Sequence, residues 1–523
     1  MHLHTRYGWS RVGSARHKHK QLICIGVRRG IHLGKHLVHF VEMFAPHLEL
    51  RSAAAPEERG RVDQDIIGLT LRTEPQVLRH RRYALRVSSR TRDRFNQEDD
   101  VPQTLAQKLI ARAAGRLSVE ADEIVTCKVD LVMMHDLQGP RRVGPMLEKL
   151  GAPIWDLDRV VVVSDHHAPA IDLDSAGILD FTRKWVQKAG IKHFYDMQGI
   201  SHILLPERGH LRPGMFVVGG DSHSPTGGAV GAFVIGAGST EVCGVLVTGE
   251  IWIRVPQSIL AKWNGVLHHG VTAKDMVLKQ CSMLPMEACD YRVIEYQGDA
   301  IHALPMGERL TLCNMSPELG AKTSVIAPDE ITVQYLKSVG ADMDDVNVER
   351  WQTDAHALYE RTLELDAAAL EPQISAPGSP SNAATVHDYS SVAINQAYIG
   401  ACTGAKLSDL HMAAEIVRGR RVASGVRFLI APATTRTTAE AARDGTLATL
   451  TEAGAILLST GCGACAGMGA GTLAPGEVCI TSTARNYTGR MGDYTSEVYL
   501  GSAYSVAAAA IAGGIVDPRE FLQ

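Results

Sequence analysis

Three cysteines in two glycine-rich loops are the residues whose types and spacing most directly suggest chemistry. Cys402 follows a strand-like stretch in the segment 399–404, and Cys462 and Cys465 lie in the segment 461–467. Three thiolates suit an iron–sulfur cluster with one iron left open, which can accept a substrate oxygen as a Lewis acid. A CxxC pair fits zinc binding or dithiol redox chemistry equally well, so the cysteines alone leave these alternatives open.

Two other loops place an aspartate beside a histidine after an apolar, β-branched run. The runs cover residues 160–164 and 216–220. They lead into Asp165, His166, Asp221, Ser222 and His223. A carboxylate beside an imidazole fixes the histidine tautomer and raises its basicity, so such pairs serve proton transfer or bind the oxygen of a metal-held water.

Two arginines, Arg485 and Arg490, surround a glycine turn near the end of the chain. A guanidinium group offers a planar fork of donors that matches a carboxylate. We therefore expect these side chains to bind substrate carboxylates.

The elements that must position these loops are strands with helices between them. Further apolar runs lie at 428–430 and 455–458, residues 104–114 have a helical pattern, and residues 124–134 alternate like one strand. Buried strands that end in glycine- and histidine-containing loops are typical of parallel α/β sheets, whose ligands gather beyond the carboxyl ends of the strands. The sequence therefore predicts an α/β fold.

Charge and cysteine usage narrow the class of protein. Residues 1–100 hold 19 Lys and Arg against 11 Asp and Glu, whereas the rest holds 34 against 46. This acidic body argues against nucleic-acid binding, which needs clustered basic side chains. Ten cysteines in 523 residues are too sparse for a secreted disulfide framework, so we expect a reducing, cytoplasmic location. The uncharged stretch 499–516 is rich in Ala, Gly and Ser, which predicts a buried helix and no membrane span.

The chain divides into an extension, three ordered segments and a linker. Residues 1–100 show no core pattern, and we interpret them as an unstructured basic extension; a mitochondrial presequence and a histidine-rich metal tract are the alternatives. Prolines, glycine and serines mark an exposed interdomain linker at 371–384. The predicted α/β domains are 101–256, 257–370 and 385–523.

Taken together, these motifs resemble the aconitase superfamily, and within it the large subunits of the 3-isopropylmalate dehydratase and homoaconitase group. The likeness spans residues 104–523. Its most specific pieces are Asp221 to His223 with the glycine-rich stretch 227–240, the Cys402 loop, the loop 461–467 and the segment 485–492. The resemblance implies three domains of α/β/α architecture around a 4Fe-4S cluster, without the swivelling fourth domain of the family.

The resemblance also implies a role for each matched residue. The cluster ligands would be Cys402, Cys462 and Cys465. The catalytic residues around the metal-held oxygen would be Asp165, His166, His202, Asp221, His223 and Glu295. The substrate contacts would be His135, Ser222, Arg485 and Arg490.

The activity implied is that of a hydro-lyase that interconverts 2-hydroxy and 3-hydroxy dicarboxylic acids through an alkene. The first expectation is 2- and 3-isopropylmalate in leucine biosynthesis, with homoaconitase, citramalate and 2,3-dimethylmalate substrates as alternatives. In this family a serine on the swivelling domain removes the carbon-bound proton, so a separate small subunit is implied as partner. No nucleic-acid or membrane partner is expected.

Three positions depart from the family pattern. Gly404 and Ala484 stand where the family usually has asparagine, and Gln138 replaces a small hydroxyl residue. Amides near a cluster tune its potential and orient its ligands. A catalytically impaired relative that acts as a binding protein is therefore the second hypothesis, and a zinc or dithiol protein is the third.

Overall fold

The computed structural model describes residues 101–284, 286–343 and 346–522, together with three earlier strands. The chain forms two compact units, Met1–Glu98 and Asp99–Gln523. In the first unit the strand Ile66–Leu71 pairs antiparallel with both Leu22–Gly26 and Leu48–Leu50. These strands differ from the expectation that residues 1–100 lack structure, and the rest of that expectation lies outside the described residues.

The first sheet of the second unit has five parallel strands. Their order is His193–Asp196, Val160–Ser164, Leu131–His135, Phe216–Gly219 and Phe233–Gly236. Val160–Ser164 is buried along its whole length, with Val160 and Val162 in one hydrophobic cluster and Val161 and Val163 in another. A strand that is covered on both faces has apolar residues at almost every position, which is why the run 160–164 predicted a strand so clearly from the sequence.

The stretch 124–134, predicted as one strand, forms two strands in different sheets. Ile124–Lys128 pairs antiparallel with Glu250–Arg254, whereas Leu131–His135 joins the first sheet. The chain changes sheets at Asp130, whose backbone N–H donates to Phe216 O at 2.8 Å and whose carboxylate accepts from Phe216 N at 2.7 Å. The alternating pattern of residues 124–134 therefore gave no indication that the chain changes from one partner strand to another at Asp130.

The second sheet has four parallel strands within the segment 257–370. Their order is Thr323–Ile326, Val293–Gln297, Ser258–Asn264 and Arg361–Asp366. One hydrophobic cluster contains residues of both the first and the second sheet, including Val161, Ile259 and Ile294.

The third sheet has seven strands. Their order is Ala383–Thr385, Gln373–Ser375, Glu497–Leu500, Val478–Thr481, Gln396–Ile399, Arg427–Ile430 and Ile456–Leu457. The last five strands are parallel, and the first two form an antiparallel edge. The predicted exposed linker at 371–384 is thus wrong in part, because Gln373–Ser375 is a buried strand whose Gln373 N–H is held by Asp275.

Helices connect and cover the sheets. The α-helices are Leu105–Ala113, Pro140–Leu150, Leu173–Ala189, Ser201–Glu207, Ser239–Thr248, Ala273–Met283, Asp299–Ala303, Met306–Asn314, Glu330–Ser338, Ala401–Gly404, Leu407–Val417, Thr435–Arg443, Thr446–Glu452 and Ala503–Ala512. The 3₁₀ turns are Leu157–Arg159, Ser224–Val230, Met286–Cys289, Ser316–Leu319, Glu349–Trp351, Val386–Tyr389, Gly463–Ala466 and Pro518–Phe521. The α/β class predicted from the sequence is confirmed, and each large sheet lies within one of the predicted segments apart from the edge formed by the former linker.

The helix expected in the stretch 499–516 is Ala503–Ala512, which is buried for eight of its ten residues and packs in the cluster of the third sheet. The expectation of a buried helix there is confirmed. Among the described residues, no helix has both the length and the apolar character needed to cross a membrane.

Candidate functional site

Neighbouring strands of the first sheet end in the polar residues that the sequence singled out. Leu131–His135 ends at His135, Val160–Ser164 leads into Asp165, and Phe216–Gly219 leads into Asp221. These three strands are adjacent and parallel, so their carboxyl ends meet at one edge of the sheet. The topology therefore gathers the two Asp and His motifs into one site.

Asp165 and His166 form a buried ion pair. His166 Nδ1 donates to Asp165 Oδ1 at 2.7 Å, and the other oxygen of Asp165 accepts from Ser201 N at 2.7 Å. Burial lowers the pKa of His166, but the carboxylates of Asp165, Asp221 and Asp136 together outweigh burial and raise that pKa to about 9. Although burial raises the pKa of Asp165, His166 holds it below its usual range. His166 is therefore an imidazolium at neutral pH, with Nε2 3.9 Å from Asp221 Oδ2.

Asp136 holds the backbone of this loop, a role that the sequence interpretation missed. Its fully buried carboxylate accepts backbone N–H bonds from Asp165 at 3.1 Å, from His166 at 3.0 Å and from His167 at 2.7 Å. Asp136 directly follows a buried strand, as Asp165 does, so the same strand-end signal would have identified it.

His135 lies against the same pair. Its ring stacks on His166 with centroids 4.2 Å apart, and its Nε2 is 3.0 Å from Gly220 O and 3.7 Å from Asp221 Oδ2. Burial, reinforced by His166, lowers the pKa of His135. The structure thus places His135 within the site as expected.

Asp221 is the second carboxylate of the site. His202 Nε2 lies 2.8 Å from Asp221 Oδ1, and the same oxygen accepts from His223 N at 2.8 Å. Burial raises the pKa of Asp221, but His202 more than offsets burial and holds the pKa well below its usual range. Asp221 is therefore a carboxylate that connects two of the predicted histidines.

Glu318 joins the histidines to the arginine segment, and the sequence interpretation did not identify it. Its carboxylate accepts from Arg485 Nε at 2.7 Å and from Tyr487 Oη at 3.2 Å, and it lies 3.2 Å from His223 Nε2. Burial raises the pKa of Glu318, but His223 and Arg485 together hold it below its usual range. Arg485 Nη1 also donates to the exposed Ser222 at 3.1 Å. The only signal for Glu318 was an acid in a 3₁₀ turn after a buried helix, which is weak.

Glu295 is the predicted site residue that the structure does not bring to this site, and its assignment as the carboxylate near the water is corrected. It lies in the middle of Val293–Gln297, where one oxygen accepts from Ala106 N at 3.0 Å. The other oxygen accepts from Thr353 and Tyr359, both at 2.8 Å. Glu295 thus satisfies the amino-terminal end of the helix Leu105–Ala113, and Glu318 occupies the position expected for it.

The cysteine loops follow strands of the third sheet in the same way. Cys402 comes just after Gln396–Ile399, and Cys462 comes after the edge strand Ile456–Leu457. The backbone N–H of Cys462 donates to Asp165 O at 2.8 Å. Gly461 permits this contact, because a Cβ there would lie 2.6 Å from Ala168 O. The CxxC loop is therefore fastened directly to the Asp165 and His166 loop.

The three thiols lie close together. The neighbouring Cys462 thiol lowers the pKa of Cys465, and Arg490 contributes in the same direction. Burial and the proximity of Cys465 raise the pKa of Cys402 to about 12, against a hydrogen bond from Asn314. Asn314 thus supplies a side-chain amide beside Cys402, although the family's usual asparagine is absent at Gly404.

A close contact with Ser482 explains why residue 404 of this chain is glycine. A Cβ at Gly404 would lie 2.2 Å from both Cβ and Oγ of Ser482. The Ser482 hydroxyl accepts from Gly400 N at 3.1 Å and donates to Gly404 O at 3.1 Å, so it ties both ends of the Cys402 turn. The departure at Gly404 therefore comes with a compensating contact.

The surroundings of the thiols fit an iron–sulfur cluster. The charge of Arg490 lowers the pKa of Cys465, and its buried Nε has no hydrogen-bond partner in the described part of the chain. The hydroxyl of the fully buried Tyr398 likewise has none among the described residues, and burial, together with Cys465 and Cys462, raises its pKa. Such donors suit the sulfur atoms of a cluster, whose potential depends on hydrogen bonds.

The site as a whole combines a buried imidazolium, four acidic side chains and two guanidinium groups with three thiols. Such a set can hold a dicarboxylate, exchange protons with its oxygen atoms and bind a soft metal group.

A family model described as "Aconitase family (aconitate hydratase)" matches residues 107–391 and 387–513 of this chain. The 3-isopropylmalate dehydratase large subunit 1 of Methanopyrus kandleri is 42% identical over 422 residues, which cover 80% of this chain and 99% of the relative. The 3-isopropylmalate dehydratase large subunit of Wolinella succinogenes is 39% identical over 425 residues, with the same coverage of 80% and 99%.

Among solved structures, the holo form of aconitase X from Thermococcus kodakaraensis matches with a TM-score of 0.40 and 11% identity, covering 70% of this chain and 85% of that one. This likeness is too weak to support a statement about the present chain.

Proposed function

This chain belongs to the aconitase family, as its sequence motifs predicted, and from that premise we propose that it is the large subunit of an iron–sulfur hydro-lyase acting on hydroxy-dicarboxylates. Relatives at 38–42% identity named 3-isopropylmalate dehydratase large subunit support this assignment. Membership of the family implies an iron–sulfur cluster. The most specific form of the proposal is a 4Fe-4S cluster and the interconversion of 2- and 3-isopropylmalate.

The observation that carries the proposal is the bond from Cys462 N to Asp165 O at 2.8 Å. It fastens a thiol loop of the third sheet to an acid–base loop of the first sheet. A zinc or dithiol site would have no need of two Asp and His motifs at its edge. The juxtaposition is what a metal-assisted dehydration requires.

Cys402, Cys462 and Cys465 would hold the cluster, with Asn314, Arg490 and Tyr398 as hydrogen-bond donors around it. When bound, the group supplies a Lewis acid for the hydroxyl and a carboxylate of the substrate.

The Asp165 and His166 pair supplies the proton for the leaving hydroxyl. The Nδ1–H of His166 is donated to Asp165 in a hydrogen bond, so the proton on Nε2 is the one that can be transferred to the substrate. A histidine whose pKa is raised to about 9 is charged at neutral pH, so it holds a proton that it can give to the leaving hydroxyl once the substrate lies against it. Asp136 fixes the loop in this orientation through its three backbone bonds.

The arginines orient the substrate. Arg485 is held by Glu318 and Ser222 through Nε and Nη1, so its position is set before the substrate arrives. Pre-set guanidinium groups stabilise the negative charge that builds on a carboxylate as the neighbouring carbon loses its proton.

We further propose that a separate small subunit supplies the serine base and reads the variable part of the substrate. The relatives are named large subunits, which supports a two-chain enzyme. The substrate panel therefore also includes homocitrate, citramalate and 2,3-dimethylmalate.

Anaerobic reconstitution tests the cluster. We expect about four irons and four sulfides per chain and a broad visible absorbance, both lost in Cys462→Ser because a thiolate ligand is removed. Cys479→Ser is the matched control, since Cys479 is buried in the third sheet on Val478–Thr481. One zinc without labile sulfide would contradict the assignment.

Co-purification with the product of a neighbouring small open reading frame tests the reaction. We expect alkene formation from 2- or 3-isopropylmalate by the two-chain complex and little by the large subunit alone. Full turnover by the large subunit alone contradicts the two-chain enzyme, and turnover of another diacid only contradicts the isopropylmalate assignment. A loaded complex that is inactive on the whole panel would favour a non-catalytic relative.

A further inference from the structure

Lys274 is a buried lysine that the proposed reaction does not use. It lies in the first turn of Ala273–Met283, and only 4% of it is exposed. Its Nζ donates to Thr483 O at 2.6 Å and more weakly to Ser482 O at 3.4 Å, and it lies 3.3 Å from the sulfur of Met315. Lysine is almost never buried to this degree unless a negative charge accompanies it.

Lys274 forms no ion pair with any carboxylate in the described part of the chain. Glu318, the carboxylate that acts most on its charge, is already bonded to Arg485. The comparison with Lys406 is informative, because that lysine is equally buried but lies 2.7 Å from Asp409 Oδ2. Lys274 is therefore a buried positive charge without a dedicated partner.

The other groups that act on Lys274 are thiols. Burial lowers the pKa of Lys274 to about 8, and Cys281, Cys465 and Cys402 act in the opposite direction when they are negative. Burial raises the pKa of Cys281 far above its usual range, so that side chain stays a neutral thiol. The remaining two are proposed cluster ligands, which are thiolates when they bind metal.

We propose that Lys274 supplies the buried positive charge that balances the cysteine-held iron–sulfur cluster and raises its reduction potential. This inference rests on the proposed function. A 4Fe-4S core with three thiolates carries net negative charge, and net charge is one of the factors that set cluster potentials. Lys274 Nζ and Thr403 Oγ1 share one acceptor, Ser482 O, at 3.4 Å and 2.8 Å, and Thr403 directly follows Cys402. The stronger bond of Lys274 to Thr483 O therefore holds its charge at a fixed position beside a proposed cluster ligand.

Three variants separate charge from hydrogen bonding. Lys274→Met removes both, Lys274→Gln keeps a donor for the carbonyls, and Lys274→Arg keeps the charge. In the reconstituted chain, we expect Lys274→Met and Lys274→Gln to shift the cluster potential to more negative values. The expected shift is at least a tenfold change in the oxidised-to-reduced ratio, which is about 59 mV for a one-electron couple. The potential of the Lys274→Arg variant should stay near that of the parent chain. Redox titration followed by electron paramagnetic resonance measures this shift.

The control is the double variant Lys406→Met/Asp409→Asn, which removes a buried neutral pair and should leave the potential near that of the parent. An unchanged potential in both Lys274→Met and Lys274→Gln, at full iron and sulfide content, overturns the proposal.

Cluster uptake decides the remaining cases. Cluster uptake by Lys274→Arg, but not by Lys274→Met or Lys274→Gln, supports the proposal, because only the arginine variant keeps the positive charge. If all three variants fail to take up the cluster, the proposal is overturned, because the shape of the lysine side chain and not its charge would then be what the site requires. A parent chain that takes up no iron and sulfide overturns the proposed function and this inference together, whereas an unchanged potential overturns this inference alone.

Discussion

Ser482 packs directly against Gly404 in the Cys402 turn and fills the space that a side chain at position 404 would need. The turn can approach Val478–Thr481 closely only because Gly404 lacks a Cβ, and the Ser482 hydroxyl then bonds to Gly400 and Gly404. The chain thus replaces a side-chain amide at position 404 by the hydroxyl of Ser482, which directly follows the strand Val478–Thr481, while Asn314 keeps an amide next to Cys402.

We expect Gly404→Ala to lower the free energy of unfolding by about 1 to 3 kcal/mol, because overpacking forces a shift of Ser482. Gly404→Asn, which restores the residue usual in the family, should be at least as destabilising. Gly244→Ala is the control, since nothing lies within 4 Å of a Cβ there, and alanine in a helix should change stability by no more than about 1 kcal/mol in the favourable direction. Equal urea midpoints for Gly404→Ala and Gly244→Ala would contradict this account.

At the scale of single residues, the sequence predicted the side chains that directly follow strands and failed for those that do not. Asp165, Asp221 and Cys402 lie just beyond strand ends, where chemistry gathers in a parallel sheet. Glu295 lies inside a strand and caps a helix, whereas Glu318 comes from a 3₁₀ turn. Only the packing of the second sheet region against the first decides which acid reaches the histidines.

Elements position the catalytic loops through backbone bonds. The loop after Val160–Ser164 is held on one side by Asp136 and on the other by Cys462 N. Its orientation depends on two neighbouring elements, from the first and the third sheet. A loop fixed in this way can present His166 without an ordering step.

We expect Asp136→Asn to lower the free energy of unfolding by about 2 to 3 kcal/mol, because one of the two acceptor oxygens becomes an NH2 group that faces a buried backbone N–H. Asp196→Asn is the matched control, since Asp196 also ends a strand of this sheet but forms a partly exposed ion pair with Arg183. Its loss should cost no more than about 1 kcal/mol. Urea unfolding of both variants checks this, and an Asp136→Asn cost equal to that of Asp196→Asn would exclude the anchoring role.

Periodicity predicted most elements but not every change of partner. The helix expected at 104–114 is Leu105–Ala113, and Thr104 caps it. The stretch 124–134 and the linker at 371–384 deviated because strand identity there depends on pairing with distant residues, such as Glu250–Arg254 and Glu497–Leu500. Those pairings leave no local pattern in the sequence.

At the scale of the molecule, the described residues that form the three large sheets and the hydrophobic clusters around them all come after Glu98. The boundary between the two compact units lies between Glu98 and Asp99, close to the predicted start of ordered structure at residue 101. The same boundary separates the basic first hundred residues from the acidic body. Composition could predict this division because charge and apolar content both change there.

We therefore expect a chain that begins at Asp99 to keep the fold of the second unit, with a urea midpoint and near-ultraviolet circular dichroism like those of the full chain. A chain that begins at Gly115 is the control, because it also lacks the helix whose buried Leu105, Leu109 and Ile110 pack in the first-sheet cluster. Each of these side chains contributes about 1.5 to 3 kcal/mol on burial, and Glu295 would lose its bond to Ala106. The control should aggregate or unfold at much lower urea. If the Asp99 variant is insoluble under conditions where the full chain is soluble, the first unit is required for the fold of the second.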